Sequence, residues 1–161
     1  MTPRPGDGWV DCRCGRRHWG LHGAAGLLLG RPGSPDSPPA VVLQHRSPWT
    51  HQGDTWGIPG GAREPQESAA EGAMREAAEE AGIDPTVLRV VGEHVLDHGD
   101  WSYTTVLAVL TVPDADVRPT DAESLEIRWV PLDEVDQRPL LRAFGEAWPL
   151  LRPRIEDALA T

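Results

Sequence analysis

Hydrophobic and polar residues follow two different periods along the chain. Short apolar or alternating runs, which are typical of strands, occupy 24–30, 40–46, 87–96, 102–112 and 125–130. Residues 68–81 instead place small apolar side chains at helical spacing. Strands in sequence around one strong helix indicate an α/β fold with a mixed sheet.

The two ends of the chain carry weaker patterns. Residues 1–8 are rich in Pro and Gly and predict a flexible tail, while 9–14 and 17–23 predict a pair of strands. Helical stretches are predicted at 132–135 and 142–160.

Two prolines interrupt the last of these stretches. Pro149 and Pro153 are expected to start, bend or break it. No internal repeat is present, so residues 9–161 are interpreted as a single domain.

Composition narrows the function classes. The chain has 161 residues, with 25 Asp and Glu against 15 basic residues, and a net charge of −10. Scattered, outnumbered basic residues argue against a nucleic-acid binder. No apolar run approaches the roughly 18 residues of a membrane span, and no secretion signal is recognisable, so a cytoplasmic protein is expected. Because the protein is itself negatively charged, a negatively charged substrate would need a metal ion between it and the protein.

The helix over 68–81 carries the candidate chemistry. Ser68 and Glu71 spell a capping box. Glu76, Glu79 and Glu80 stand at i, i+3 and i+4, where like charges destabilise a helix unless a cation binds them. Mg²⁺ or Mn²⁺ is the expected cation, because both prefer oxygen ligands. A solvated acidic face is the alternative, and the helix alone leaves it open.

A longer sequence pattern favours the cation-binding interpretation over a solvated acidic face. Residues 61–83, GAREPQESAAEGAMREAAEEAGI, fit G-x5-E-x7-R-E-U-x-E-E-x-G-U at every position, where U is apolar. This stretch resembles the Nudix box, and AVVLQHR, WGIPGG and LEIRWVPLDEV resemble its flanking segments. The resemblance implies an α/β/α sandwich with a mixed, curved sheet, in which the box forms a loop, helix and loop.

The resemblance also implies an activity: metal-dependent hydrolysis of a nucleoside diphosphate linked to another group. The implied metal ligands are Glu76, Glu79, Glu80 and the carbonyl of Gly60. Arg75 would orient the carboxylates, and Glu67 would hold the loop and contact the metal shell through water. Glu126 and Glu123 are the candidates for general base, with Glu126 slightly preferred because it lies three residues before Trp129.

The substrate is less constrained. Motifs typical of ADP-ribose, NADH and coenzyme A hydrolases are weak or missing, which favours the MutT-like group acting on nucleoside triphosphates, including oxidised ones. Alternatives are hydrolysis of dinucleoside polyphosphates or ADP-ribose, and a nucleotide-sensing domain without turnover; the acidic surface disfavours decapping of RNA. Candidate substrate contacts are Arg46, Trp49, Trp101 and Tyr103. The protein is expected to be a monomer or homodimer.

Cysteine and histidine near the N-terminus suggest a second metal. Cys12, Cys14, His18 and His22 supply zinc-type ligands. A C-x-C spacing departs from usual zinc patterns, however, and a four-residue offset separates two histidines in an extended strand. Two reduced thiols on a hairpin are therefore the favoured interpretation.

Overall fold

In a computed structural model, which describes residues 4–161, the predicted runs form the strands of a small hairpin and a mixed sheet. The strands are β1 (Trp9–Asp11), β2 (Arg17–Trp19), β3 (Ala24–Arg31), β4 (Ala40–Arg46), β5 (Trp56–Gly57), β6 (Gly60–Ala62), β7 (Leu88–Asp97), β8 (Ser102–Leu110) and β9 (Ser124–Pro131). The hairpin consists of β1 and β2, and the other strands form the sheet.

Strand β3 lies at the centre of the sheet and is parallel to β8 along its whole length. Its other edge is shared: β6 pairs with its beginning, at Gly26 and Gly60, and β4 pairs with its end, at Gly30 and Val41. Along its opposite edge β4 pairs with β9 over its whole length, from Ala40 to Arg46. This division brings the short strand β6 beside the start of β3.

One helix covers each face of the sheet. Alternate residues of β3 point to opposite faces: Leu27 packs with Ala73 of helix α1 (Ala69–Ala81), whereas Leu28 packs with Trp148 of helix α2 (Arg142–Leu159). The expected α/β/α sandwich with a mixed sheet is confirmed.

Helix α2 runs through both prolines without interruption, so neither proline starts or breaks it as the prediction allowed. Pro149 and Pro153 are exposed, so the carbonyls that they leave without an intrahelical partner can bind water. The opposite face is buried, at Phe144, Trp148, Leu151 and Ile155. Burial of these side chains outweighs the local cost of proline. The stretch at 132–135 lies in a 3-10 helix, Leu132–Gln137.

The N-terminal segment also differs from its prediction. Of the expected flexible tail, residues 1–3 lie outside the described part of the chain. Residues 4–8 are packed: Gly6 and Gly8 accept main-chain hydrogen bonds from Leu21 and Gly20, at 2.9 and 2.8 Å. None of the helices described in residues 4–161 is both long enough and apolar enough to cross a membrane.

Candidate active site

Helix α1 presents its acidic residues in a fixed orientation because both of its ends are capped. Ser68 accepts a hydrogen bond from the Glu71 N–H at 3.1 Å, and Glu71 accepts one from the Ser68 N–H at 2.9 Å. Gly82 ends the helix at a φ of 68°, a left-handed conformation that favours glycine. Buried Ala73, Ala77 and Ala81 let the helix lie close to the sheet.

Two of the box glutamates reach the backbone of β6. Glu80 is only 8% exposed and accepts a hydrogen bond from the Gly60 N–H at 3.0 Å. The Glu76 carboxylate lies so close to Gly61 that a Cβ there would be 2.8 Å from its Cδ. Strand β6 and helix α1 therefore hold one buried and one half-buried carboxylate together.

Arg75 holds a third carboxylate, that of Glu67, beside the other two. Its guanidinium donates to both oxygens of Glu67, at 2.5 and 3.0 Å, to Glu76 at 2.8 Å and to the Ala62 carbonyl at 3.1 Å. This ion pair lowers the pKa of Glu67. The geometry supports the positioning role expected for Arg75 and the loop-holding role expected for Glu67.

Glu79 is the most exposed of the three ligand candidates, and it contacts an arginine that sequence reasoning did not identify. Its carboxylate lies 2.6 Å from Arg4 and 3.5 Å from Arg75. Arg4 belongs to the N-terminal segment, 75 residues away, so no local pattern could identify it. A cation held by Glu79 must compete with this guanidinium.

Burial makes the site electrostatically unfavourable without a cation. Burial raises the pKa of Glu80 well above its usual range, and the charge of Glu76 raises it further. Burial also raises the pKa of Glu76, although Arg75 opposes that shift. Among residues 4–161, Glu80 has no ion-pair partner. Hard oxygen ligands with excess negative charge fit Mg²⁺ or Mn²⁺.

The loop before β9 lies against the end of α1 and adds acidic side chains around the site. Thr120 donates from its N–H to the Glu80 carbonyl at 3.2 Å and from its hydroxyl to the Glu79 carbonyl. The charges of Glu123 and Asp121 raise the pKa of Glu80. Asp121 was not identified from the sequence, because nothing local links it to the box.

The two candidates for general base occupy different surroundings. Glu123 follows that loop directly and accepts from the Ser47 N–H through its carbonyl, at 2.9 Å. Glu126 lies on β9, half exposed, and faces Arg128 at 3.4 Å. The charge of Glu123 contributes to the raised pKa of Glu80, whereas the sequence slightly favours Glu126.

One of the proposed substrate contacts, Tyr103, lies beside the strands that hold the carboxylates. The hydroxyl of Tyr103 would be 2.1 Å from a Cβ on Gly26 and 3.1 Å from one on Gly60, which places it against β3 and β6. Burial raises the pKa of Tyr103, the charge of Glu80 raises it further, and Arg46 opposes the shift. Arg46 itself donates from its Nε to the His51 carbonyl at 3.2 Å.

The two tryptophans among the proposed contacts are placed differently. Trp49 is 70% exposed in the loop after β4. Trp101 lies in the turn before β8, where its ring stacks on His18 at 4.1 Å and its Nε1 donates to the Trp19 carbonyl. Since one face of the Trp101 ring covers His18, Trp101 mainly supports the hairpin.

Comparisons with known proteins agree with this architecture. A family model described as the NUDIX domain matches residues 20–151. The crystal structure of RenU, a Nudix hydrolase from M. smegmatis, superposes with a TM-score of 0.85 and 43% identity, covering 94% of this chain and 96% of that one. An Ap4A hydrolase from C. elegans has a TM-score of 0.66 at 24% identity, which shows the fold alone.

Two relatives are similar over nearly the whole chain. A "Nucleoside triphosphate pyrophosphatase/Nudix hydrolase fusion protein" of Bifidobacterium longum is 52% identical, covering 98% of this chain and 33% of that protein. A "Putative 8-oxo-dGTP diphosphatase 3" of Mycobacterium tuberculosis is 46% identical, covering 91% of this chain and 69% of that protein. The chain thus spans a third of the first relative's length and about two thirds of the second's.

Proposed function

The chain belongs to the Nudix hydrolase family, and from that premise we propose that it is a divalent-cation-dependent pyrophosphohydrolase of nucleoside triphosphates. Oxidised purine nucleotides such as 8-oxo-dGTP are the principal substrate class in this proposal. The name of the Mycobacterium tuberculosis relative supports that class. A complete box, with no ligand position replaced, supports turnover over nucleotide sensing.

The carboxylate of Glu80 supports the proposal most directly: it is 8% exposed, and among the described residues it has no ion-pair partner. An uncompensated buried charge is costly, and a bound cation removes that cost. Glu76, Glu79 and Glu80, together with the Gly60 carbonyl, are the proposed ligands of Mg²⁺ or Mn²⁺. When bound, the cation offsets phosphate charge and promotes ionisation of the attacking water.

The protein's own groups supply positioning and proton transfer. Arg75 keeps Glu67 and Glu76 in place through its hydrogen bonds. Glu123, which lies close enough to Glu80 to raise the pKa of that residue, is the proposed general base. Arg46 is proposed to bind a phosphate oxygen, and Tyr103 to pack beside it.

The proposed reaction conserves atoms and charge. Water attacks a phosphorus atom in line with the anhydride oxygen, a P–O bond forms, and the P–O bond on the opposite side breaks. Glu123 accepts the proton of the water. Hydrolysis of a nucleoside triphosphate between the α and β phosphorus atoms yields a nucleoside monophosphate and pyrophosphate.

A substrate panel tests the proposal. Purified protein with Mg²⁺ or Mn²⁺ would be given 8-oxo-dGTP, dGTP, the other triphosphates, a dinucleoside polyphosphate and ADP-ribose. Hydrolysis in ¹⁸O-labelled water followed by mass spectrometry would identify the phosphorus that is attacked. We expect 8-oxo-dGTP to have the highest kcat/KM, with pyrophosphate as its product.

Three outcomes would contradict this assignment. Preference for the dinucleoside polyphosphate or for ADP-ribose would retain the hydrolase and reject the substrate class. Release of inorganic phosphate instead of pyrophosphate would reject the position of cleavage. Tight binding of 8-oxo-dGTP without turnover would favour a sensor.

A further inference from the structure

Four zinc-type ligands lie together where the N-terminal hairpin meets the turn between β7 and β8. Cys12, Cys14, His18 and His98 each place one ligand atom within 4.8 Å of all the others. We call this set the Cys/His cluster. The Cys14 sulfur and the His98 Nδ1 each lie 3.1 Å from Nε2 of His18. Three members match the sequence pattern, but His98 takes the place of His22, which is exposed and outside the cluster.

A tight turn overcomes the unfavourable C-x-C spacing. The Gly15 N–H donates to the Cys12 carbonyl and the Cys12 N–H donates to the Arg16 carbonyl, both at 3.0 Å. Gly15 has a φ of 90°, which favours glycine. Because the chain turns between the two cysteines, both sulfurs face the same point.

The other two ligands come from neighbouring elements. His18 lies on β2, which pairs with β1 in the hairpin. His98 lies in the turn between β7 and β8, 80 residues further along the chain. The cluster therefore joins the hairpin to the edge of the main sheet.

Surrounding contacts hold the ligands in place, as is usual around a structural metal. Trp101 stacks on His18, with ring centroids 4.1 Å apart and planes inclined by 10°. Arg13, between the two cysteines, forms an ion pair of 2.8 Å with Asp100, between His98 and Trp101. The hairpin and the turn are thus fixed to each other on both sides of the cluster.

We propose that Cys12, Cys14, His18 and His98 bind one Zn²⁺ ion in a closed tetrahedral site that ties the hairpin to the β7–β8 turn. Two thiolates and two imidazoles are a ligand set typical of structural zinc. With Zn–S bonds of about 2.3 Å and Zn–N bonds of about 2.0–2.1 Å, a tetrahedron separates its ligand atoms by roughly 3.3–3.8 Å. The two shortest distances between ligand atoms, both 3.1 Å, lie just below this range, and the upper limit of 4.8 Å lies above it.

Metal binding requires the deprotonated form of each ligand. Thiolate and neutral imidazole are the forms that bind zinc. Since all four positions are protein ligands, the ion has a structural role.

Metal analysis of untagged protein tests the proposal. The protein would be expressed in medium that contains zinc and purified with a thiol-free reductant. Inductively coupled plasma mass spectrometry should then find about one zinc ion per chain. His98→Ala should reduce this to below about a tenth. The matched control His22→Ala, which removes an exposed histidine outside the cluster, should retain the zinc. The double variant Glu79→Gln/Glu80→Gln should also retain it, which separates the cluster from the box.

A second measurement applies to the unmutated chain, so that a poorly folded variant cannot decide the result. Replacement of the metal by Co²⁺ should give visible bands of tetrahedral cobalt and thiolate-to-cobalt charge transfer. Removal of the metal by a strong chelator should lower the unfolding temperature by at least about 5 °C.

Several results would overturn the proposal. Unmutated protein without zinc and without the cobalt charge-transfer band contradicts it. Equal zinc content in His98→Ala and unmutated protein contradicts it as well. An intact mass two hydrogens short, with no zinc bound under reducing conditions, would instead assign the two cysteines to a disulfide.

Discussion

Glycine at positions 60 and 61 lets acidic side chains approach the backbone of β6. A Cβ on Gly60 would lie 2.5 Å from the Ala25 carbonyl oxygen, and one on Gly61 would lie 2.8 Å from Cδ of Glu76. Neither distance is possible for a real Cβ. Gly60 therefore permits the close approach of β3, and Gly61 leaves room for the Glu76 carboxylate.

Gly61→Ala tests this requirement. The added methyl group should displace the Glu76 carboxylate and weaken Mg²⁺ binding by about 10- to 100-fold, as measured by the Mg²⁺ dependence of hydrolysis. Gly145→Ala is the matched control, because a Cβ there meets nothing closer than Leu140 Cβ at 3.4 Å. Unchanged Mg²⁺ dependence in Gly61→Ala would contradict the proposed ligand geometry.

The raised pKa values predict how pH affects the metal-free and metal-bound protein. A carboxyl group whose pKa is higher in the folded state stabilises the fold at low pH, and this contribution is lost as pH rises through the folded pKa. Glu80 and Glu76 have this sign. Glu67 has the opposite sign, so its contribution is lost as pH falls.

Mg²⁺ should therefore raise the unfolding temperature more at pH 8 than at pH 5.5, because protons compete with the cation at Glu80. Thermal unfolding with and without Mg²⁺ at both pH values measures the effect. In Glu80→Gln the difference between the two pH values should shrink. An equal Mg²⁺ effect at both pH values in unmutated protein would contradict the assignment of Glu80 as a ligand.

Glu123 and Glu126 form a natural pair for locating the general base. Glu123→Gln should lower kcat by about 100-fold or more and flatten the acidic limb of the pH profile. Glu126→Gln, an exposed acid paired with Arg128, should change kcat by less than about threefold. The reverse order of effects would restore the preference that the sequence gives to Glu126.

Functional residues that lie on one helix can be identified from the sequence. Residues that come into contact only because distant segments pack together are harder to identify. Glu76, Glu79 and Glu80 follow from helical spacing alone. Arg4, Asp121 and His98 reach their clusters from segments roughly 40 to 80 residues away, and their positions depend on the pairing of strands and loops. No pattern in the sequence near them signals that pairing.

The same distinction holds for whole elements. The limits of α1 are predicted within one residue, because Ser68 and Gly82 are local capping signals. Strands β5 and β6 have two and three residues, too few for a pattern, and they form because β4 and β3 provide partners. Helix α2 contradicts its local signal, since burial of Trp148 and Leu151 outweighs the prolines.

Pro149→Ala measures how much this proline destabilises helix α2. The substitution supplies an N–H for the Gly145 carbonyl and removes the proline ring, so the free energy of unfolding should rise by about 1–3 kcal/mol. Chemical denaturation measures this change. A decrease would mean that Pro149 contributes to the packing of α2 against the sheet.

The charge of the whole molecule opposes its proposed substrate. A net charge of −10 repels a nucleoside triphosphate at long range. In the box, three carboxylates pair with Arg75 or Arg4, and the carboxylate of Glu80 adds a further negative charge. Binding therefore depends on a cation between two negative partners. The α/β/α architecture supplies the rigid support, with α1 and β6 holding the carboxylates and α2 closing the other face.

The most direct test of this account is a Mg²⁺ titration of 8-oxo-dGTP hydrolysis. Unmutated protein and the control Glu146→Gln, an exposed acid on α2, should have the same saturable Mg²⁺ dependence. Glu79→Gln and Glu80→Gln should each lower kcat/KM by at least about 100-fold while the protein remains folded. Hydrolysis that continues without divalent cations, or that survives both substitutions, would contradict a metal-dependent site on α1.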